Sequence, residues 1–309
     1  MASIFTLLIE FFLLSILRLS SSTLPDAIYT IMILFSSIAL MHDLSRSKWI
    51  SYARDAILFG YLWRIFLLFF DIYGSDIYQL PNTGDDSVMY YRCAVGYAST
   101  GYADLGGVFS TIMGGVFRIT GASRLYGQYL LVLMSILSLC LFARIMEEMN
   151  LDLWTKRRSI SLLAFLPNYA IISTIFLREC PISTLIAISF YCFYRWLNKG
   201  NVLRLILAFV FVLAASSMHG GSAAVAIGYI AVVMLYDRKR KAFRIRVGNI
   251  IPTVVFSLLM IYLYLNYGDT FFSKVLNIKS IESVAYTRAD GGSTYAQYVG
   301  NSATPLNML

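Results

Sequence analysis

Two polar breaks in an otherwise apolar chain hold the residues best suited to chemistry. Arg178-Glu179-Cys180-Pro181 sets a guanidinium beside a carboxylate, preceded by Ile175, Phe176 and Leu177. Ionisable groups so close to hydrocarbon mark a pathway or a site, or else a structural salt bridge or a side chain reaching for the interface. Ser216-Ser217-Met218-His219-Gly220-Gly221 sets a histidine among small residues. Such an imidazole is accessible and titrates near neutrality, which suits a general base or a diphosphate contact; the alternative is a capping or packing histidine. Asp85 and Asp86, followed by Arg92, form a third group. Paired acids there can hold a metal, act as a base or contact sugar hydroxyls, or be solvated loop charges. Tyr90, Tyr91, Tyr97 and Tyr102 follow; they can stack on the CH faces of pyranose rings, as interfacial tyrosines also line a membrane boundary. Arg54, Asp55, Arg64 and Glu10 lie in or near apolar runs and need partners if buried.

The medium around these groups follows from composition. The 309 residues are 58% hydrophobic and 14% charged, with mean hydropathy +0.68. A chain so poor in polar surface has lipid as its solvent. Aromatic residues at 15% suit a protein with two membrane interfaces. The four cysteines form no C-x-x-C pair and the two histidines are far apart, so a zinc site built from Cys and His is not expected and no metal ligand is assigned. No phosphate loop, Ser-His-Asp arrangement or HExxH is present, so neither ATP-driven work nor a cofactor is expected.

Apolar stretches long enough to span a bilayer lie near 3–19, 25–42, 53–71, 125–146, 159–177, 182–198, 203–218, 221–236 and 248–266. The run 159–198 would be about 60 Å long as one helix, twice the hydrocarbon core, so it must turn at Arg178–Pro181. The run 203–236 must turn at Ser216–Gly221 for the same reason. The first run carries Glu10 and lacks a basic leader, so it is a retained span and not a cleaved signal.

Lys and Arg set the orientation. Arg46, Lys48 and Arg54 fall on one side with Lys156–Arg158, with Arg195, Lys199 and Arg204, and with the basic run 238–246. The acids Asp71, Asp76, Asp85, Asp86, Asp104 and Glu179 fall on the other. The expected fold class is therefore all-α: a polytopic transmembrane helical bundle of about nine spans with a cytoplasmic N-terminus. The net charge of +8 then reflects inside anchors, with no nucleic acid as partner. Residues 1–266 form the transmembrane domain, including an external segment 72–124 with amphipathic or re-entrant helices. Within it Gly106/Gly107 and Gly114/Gly115 repeat on one face, which permits close helix contact. Residues 267–309 form an extracytoplasmic tail, part of a loop expected to continue past Leu309. Cys93 and Cys180 fall on the same side, which allows a disulfide.

Read together, LPNYAIISTIFLREC, a hydrophobic span, a basic loop and a span ending in SSMHGG resemble the bacterial polysaccharide polymerases of the Wzy and EpsG type. These look related to GT-C membrane glycosyltransferases, and GDDSVMYYRCAVGYAS resembles their early external segment; the likeness covers about residues 75–240. It implies a substrate, oligosaccharide units on a polyprenyl diphosphate, polymerised or transferred at the outer leaflet of a bacterial inner membrane during O-antigen, capsule or exopolysaccharide synthesis. It implies further that Arg178 contacts the diphosphate, that Glu179 or His219 orients or deprotonates the acceptor, and that Asp85 or Asp86 takes the place of the early acid. Arg92, Tyr90, Tyr91, Tyr97 and Arg288 complete the expected substrate contacts. Arg288 alone stands for the arginines of the family's late loop. Membrane lipid and other polysaccharide-assembly proteins are the remaining expected partners. The alternatives are a flippase-like carrier of the same lipid-linked sugar and a non-catalytic assembly subunit.

Overall fold

The computed structural model describes residues 2–20, 24–101, 106–149, 151–237, 242–243, 254–255 and 258. They divide into two units, residues 1–218 and 219–309.

In the first unit proline, glycine and short polar runs cut the apolar chain into helices. α1 (Ala2–Ser20) and α2 (Asp26–Arg46) pack together; α3 (Arg54–Tyr73) follows a single 3₁₀ turn. α4 (Asp85–Thr100) is amphipathic and packs on α5 (Gly107–Thr120). The glycine repeat accounts for that contact in part. A Cβ on Gly114 would stand 2.7 Å from the Ala94 carbonyl oxygen and 2.8 Å from the Tyr97 Cβ, whereas Gly115 faces open space. α6 (Arg124–Glu148), capped by the Ser123 hydroxyl, is buried around much of its circumference and forms the central post.

The chain then departs from the sequence expectation. Residues 159–177 are not one helix: α7 (Leu153–Phe165) stops, and α8 (Pro167–Ile172) is a short separate turn. Pro167 has no N–H for the Leu163 carbonyl, and it forces Leu166 out of the helical region, to φ −57° and ψ 112°. The expected break at Arg178–Pro181 is present. α9 (Glu179–Lys199) begins directly after Arg178, with Pro181 in its first turn where a missing N–H costs nothing. Gly200, at φ +76°, ends α9 and α10 (Val202–Met218) returns beside it. The Ser189 hydroxyl donates to the Ala208 carbonyl at 2.7 Å across this hairpin.

Two cores result. One joins α1, α2, α3, α6 and α7 around Tyr29, Tyr61, Tyr126 and Tyr129. The other joins α4, α5 and the end of α3 to Ile175–Cys180 around Phe109, Phe117 and Phe176.

The second unit opens with His219 and a 3₁₀ turn, Gly220–Ser222, so the break expected at Ser216–Gly221 is also present. α11 (Ala223–Leu235) follows, and then a two-residue antiparallel pair, β1 (Tyr236–Asp237) with β2 (Ala242–Phe243). The protein is otherwise helical among the described residues. Five helices are long and apolar enough to cross a membrane: α1, α2, α3, α6 and α9. α5, α10 and the Gly220–Leu235 segment are apolar but shorter, and the stretch 248–266 falls largely outside the described residues.

Candidate functional site

The most polar interior point lies where α3 ends. Asp71 sits in the last turn of α3 with its side chain 1% exposed. Such a carboxylate needs donors, and two elements supply them, the turn after α3 and the start of α6. Pro81-Asn82 forms a turn closed by the Thr83 amide on the Leu80 carbonyl at 3.2 Å, with Asn82 at φ +66° as a type II turn requires. That turn aims the Thr83 hydroxyl at Asp71 Oδ1. α6 brings two groups one helical turn apart: Gln128 Nε2 donates to Asp71 Oδ2 at 2.7 Å, and Arg124 Nη2 lies 3.3 Å from the same oxygen. Arg124 Nη2 also reaches the Thr83 and Ser87 hydroxyls, at 3.2 and 3.3 Å. The Arg124 Nε and the Gln128 Oε1 are buried without a partner among the described residues.

A cavity of about 930 Å³ opens beside this cluster. Asp71, Thr83 and Arg124 form its polar wall, while α4 contributes Val88, Met89, Arg92 and Cys93. Arg92 is exposed and has no ion pair or hydrogen bond among the described residues. The site thus offers one guanidinium already neutralised by a carboxylate and one that is free. That arrangement suits an anion carrying hydroxyl-bearing groups.

The other face of α4 is structural. Tyr90 is buried, edge-on to Phe109 at 5.5 Å, with the Arg178 guanidinium 5.6 Å from its ring centre. Burial raises the Tyr90 phenol above its ordinary range, and the Arg178 charge works in the opposite direction. Tyr91 packs edge-on against Phe117 and Phe176, and Tyr97 packs against Gly114. None of these three rings lines the cavity.

Arg178 Nη1 donates to the Met218 carbonyl at 3.2 Å, capping the end of α10, and its Nε lies 3.8 Å from Glu179 Oε1. Both side chains are partly exposed, and neither lines the cavity. Asp86 is exposed. Asp85 opens α4, but its side chain lies outside the described residues, as does Arg288. His219 is exposed and opens the second unit; its carbonyl accepts from the Ser222 amide at 3.0 Å. Cys93 and Cys180 are both free, so no disulfide joins them. Cys180 is fully buried and donates to the Leu131 carbonyl, whereas Cys93 faces the cavity. Among the described residues no three His, Cys, Asp or Glu side chains gather as a metal site.

Comparison with family models, curated proteins and solved structures finds no match for this chain.

The charges in or near the apolar helices resolve differently. Arg54 and Asp55 pair with each other at the exposed start of α3. Arg64 is fully buried: Nε donates to the Ser173 hydroxyl at 2.9 Å, and Nη1 donates to the Gly60 and Ala164 carbonyls at 2.9 and 2.8 Å. Ala164 lies in the last turn of α7, so Arg64 satisfies a carbonyl left open by the Pro167 break. Glu10 is buried beside Ser36 of α2. Sequence reasoning did not single out Asp71, Thr83, Arg124 and Gln128. The available signals were Pro-Asn after an apolar helix and Arg-x-x-x-Gln at the start of another.

Proposed function

We propose that this protein is a bacterial inner-membrane polymerase or transferase of polyprenyl-diphosphate-linked oligosaccharide, with about nine spans and a cytoplasmic N-terminus. The observation that supports it is the 930 Å³ cavity at the end of α3, lined by free Arg92 and by Arg124 held on Asp71. Its volume is in the upper part of the range for small-molecule pockets, about 300–1,000 Å³, so a head group larger than one phosphate can enter.

In the proposed reaction an acceptor hydroxyl attacks the anomeric carbon, the bond from that carbon to the diphosphate oxygen breaks, and the lipid diphosphate leaves. The leaving group gathers negative charge, and a guanidinium placed beside it lowers the barrier. Arg92 takes this role, with Arg124 as the second cation. The acceptor proton passes to a carboxylate of the first segment, for which Asp85 and Asp86 at the head of α4 are the candidates. Arg178 acts through position: it caps α10 and lies on Tyr90, behind the face of α4 that lines the cavity.

The test is complementation of a strain lacking this protein with Arg92→Ala, read by gel profile of surface polysaccharide and by analysis of lipid-linked intermediates. Loss of long chains with single units retained outside, at normal protein level, is expected. Wild-type chain lengths would overturn the assignment. Accumulation of units on the inner leaflet would overturn it in favour of the flippase-like carrier. Arg54, Asp55 and Arg64 do not favour that carrier, because the first two are exposed and Arg64 donates to protein oxygens.

A further inference from the structure

α7 carries a second feature that the proposed reaction does not use. Its inner face buries Ile160 and Ala164, with Ala164 packed on Gly60 of α3. The spacing of Trp154, Arg158, Ser161, Leu162 and Phe165 places them on one other face. The apolar members of that face are uncovered: Trp154 is 61% exposed and Leu162 is 70% exposed. A cavity of about 470 Å³ lies along it, walled by Leu162, Phe165, Leu166 and Pro167 and headed by Arg157 and Arg158.

The charges at its head are unspent. Lys156, next in sequence, is held on Glu147 at 2.9 Å, but neither Arg157 nor Arg158 has an ion pair among the described residues. The nearby carboxylate of Asp152 is engaged by the Thr155 amide and hydroxyl as the cap of α7. Arg158 lies flat on Trp154, 3.5 Å from the ring centre, which fixes its guanidinium at the rim. Two cations heading a hydrocarbon track match the phosphate and one acyl chain of a lipid.

We infer that the α7 groove is a binding site for an anionic phospholipid, its phosphate on Arg157 and Arg158 and one acyl chain along Leu162, Phe165 and Leu166. A zwitterionic lipid brings the same chain but its choline charge opposes the two arginines. Free phosphate brings the charge without the chain.

The experiment is native mass spectrometry of the full chain in detergent, titrated with dioleoyl phosphatidylglycerol, dioleoyl phosphatidylcholine or inorganic phosphate. Wild type should hold one phosphatidylglycerol more tightly than phosphatidylcholine. Arg157→Gln and Arg158→Gln should each weaken that lipid about fivefold, and the pair together by about 25-fold. Leu162→Asn, at an exposed position, should weaken both lipids while circular dichroism stays unchanged. Equal affinity for the two lipids, an unaltered titration in the Arg157→Gln/Arg158→Gln protein, or displacement of the lipid by inorganic phosphate at matched head-group concentration would each overturn the inference.

Discussion

Removing Arg124 tests the buried cluster most directly. In Arg124→Leu, Asp71 keeps Thr83 and Gln128 but loses the one cation paired with it among the described residues. Breaking a fully buried ion pair by deleting one partner costs about 3–5 kcal/mol, because a charge is left uncompensated. Two features of this pair bring the figure down. The Arg124 side chain is 26% exposed and borders a cavity that admits water. Its Nη2 also has two hydrogens for three acceptors, so the bonds to Asp71, Thr83 and Ser87 do not all count at full strength. The expected loss is about 2–3 kcal/mol, a fall of roughly 4–8 °C in melting temperature. Scanning fluorimetry of the detergent-solubilised protein measures it. The decisive arm is the double substitution: Asp71→Asn in the Arg124→Leu background removes the stranded charge and should recover about 1–2 kcal/mol. If the two single effects add to within about 0.5 kcal/mol, Asp71 and Arg124 are not coupled and the description of the site fails.

Three further outcomes follow from other contacts. Gly114→Ala drives a methyl into the Ala94 carbonyl and should cost about 1–3 kcal/mol, whereas Gly115→Ala meets open space and should be neutral or stabilising by about 1 kcal/mol; paired melting curves separate them. Glu10→Leu replaces a buried carboxyl beside Ser36 with an apolar side chain, so melting temperature should hold or rise, and a fall would show that the contact with Ser36 outweighs the cost of burying the acid. The Asp152 carboxyl is held below its ordinary range, first by the Thr155 hydroxyl and then by the Thr155 amide. A depressed acid stabilises above its unfolded pKa, about 3.9, and loses that contribution as pH falls through the folded value. Hydrogen exchange at the Thr155 amide should therefore stay slow at pH 4 and quicken only in stronger acid.

The helical character and both length-imposed turns were legible in the sequence, because hydropathy and the reach of a helix leave little choice there. Arg178–Pro181 and Ser216–Gly221 break where bilayer thickness says they must. The end of α7 was equally written in Pro167, but a run of apolar residues masks one proline when only hydropathy is counted. The candidate site was less legible. Asp85, Asp86, Arg92 and the tyrosines drew attention to α4, yet which face of α4 meets the cavity depends on α5 claiming the other. Asp71 and Arg124 are 53 residues apart, and nothing local in either announces the other.

The arginines themselves show why residue type alone misplaces the chemistry. A helix ending in an apolar medium leaves carbonyls that water cannot satisfy, and a long cationic side chain from a neighbouring element is well suited to reach them. Arg64 donates to the Ala164 carbonyl in the last turn of α7, and Arg178 to the Met218 carbonyl at the end of α10. Each caps a helix other than its own, so each ties two elements together and would be sensitive to mutation without touching a substrate. Rarity near hydrocarbon, which drew attention to Arg178, is what such a cap also looks like. Arg92 is different: it lines the cavity, faces outward and has no carbonyl or carboxylate to hold among the described residues. If Arg178→Ala abolishes long-chain glycan while also lowering melting temperature, and Arg92→Ala abolishes it without doing so, the cap and the ligand are told apart. The reverse pattern would return the diphosphate to Arg178.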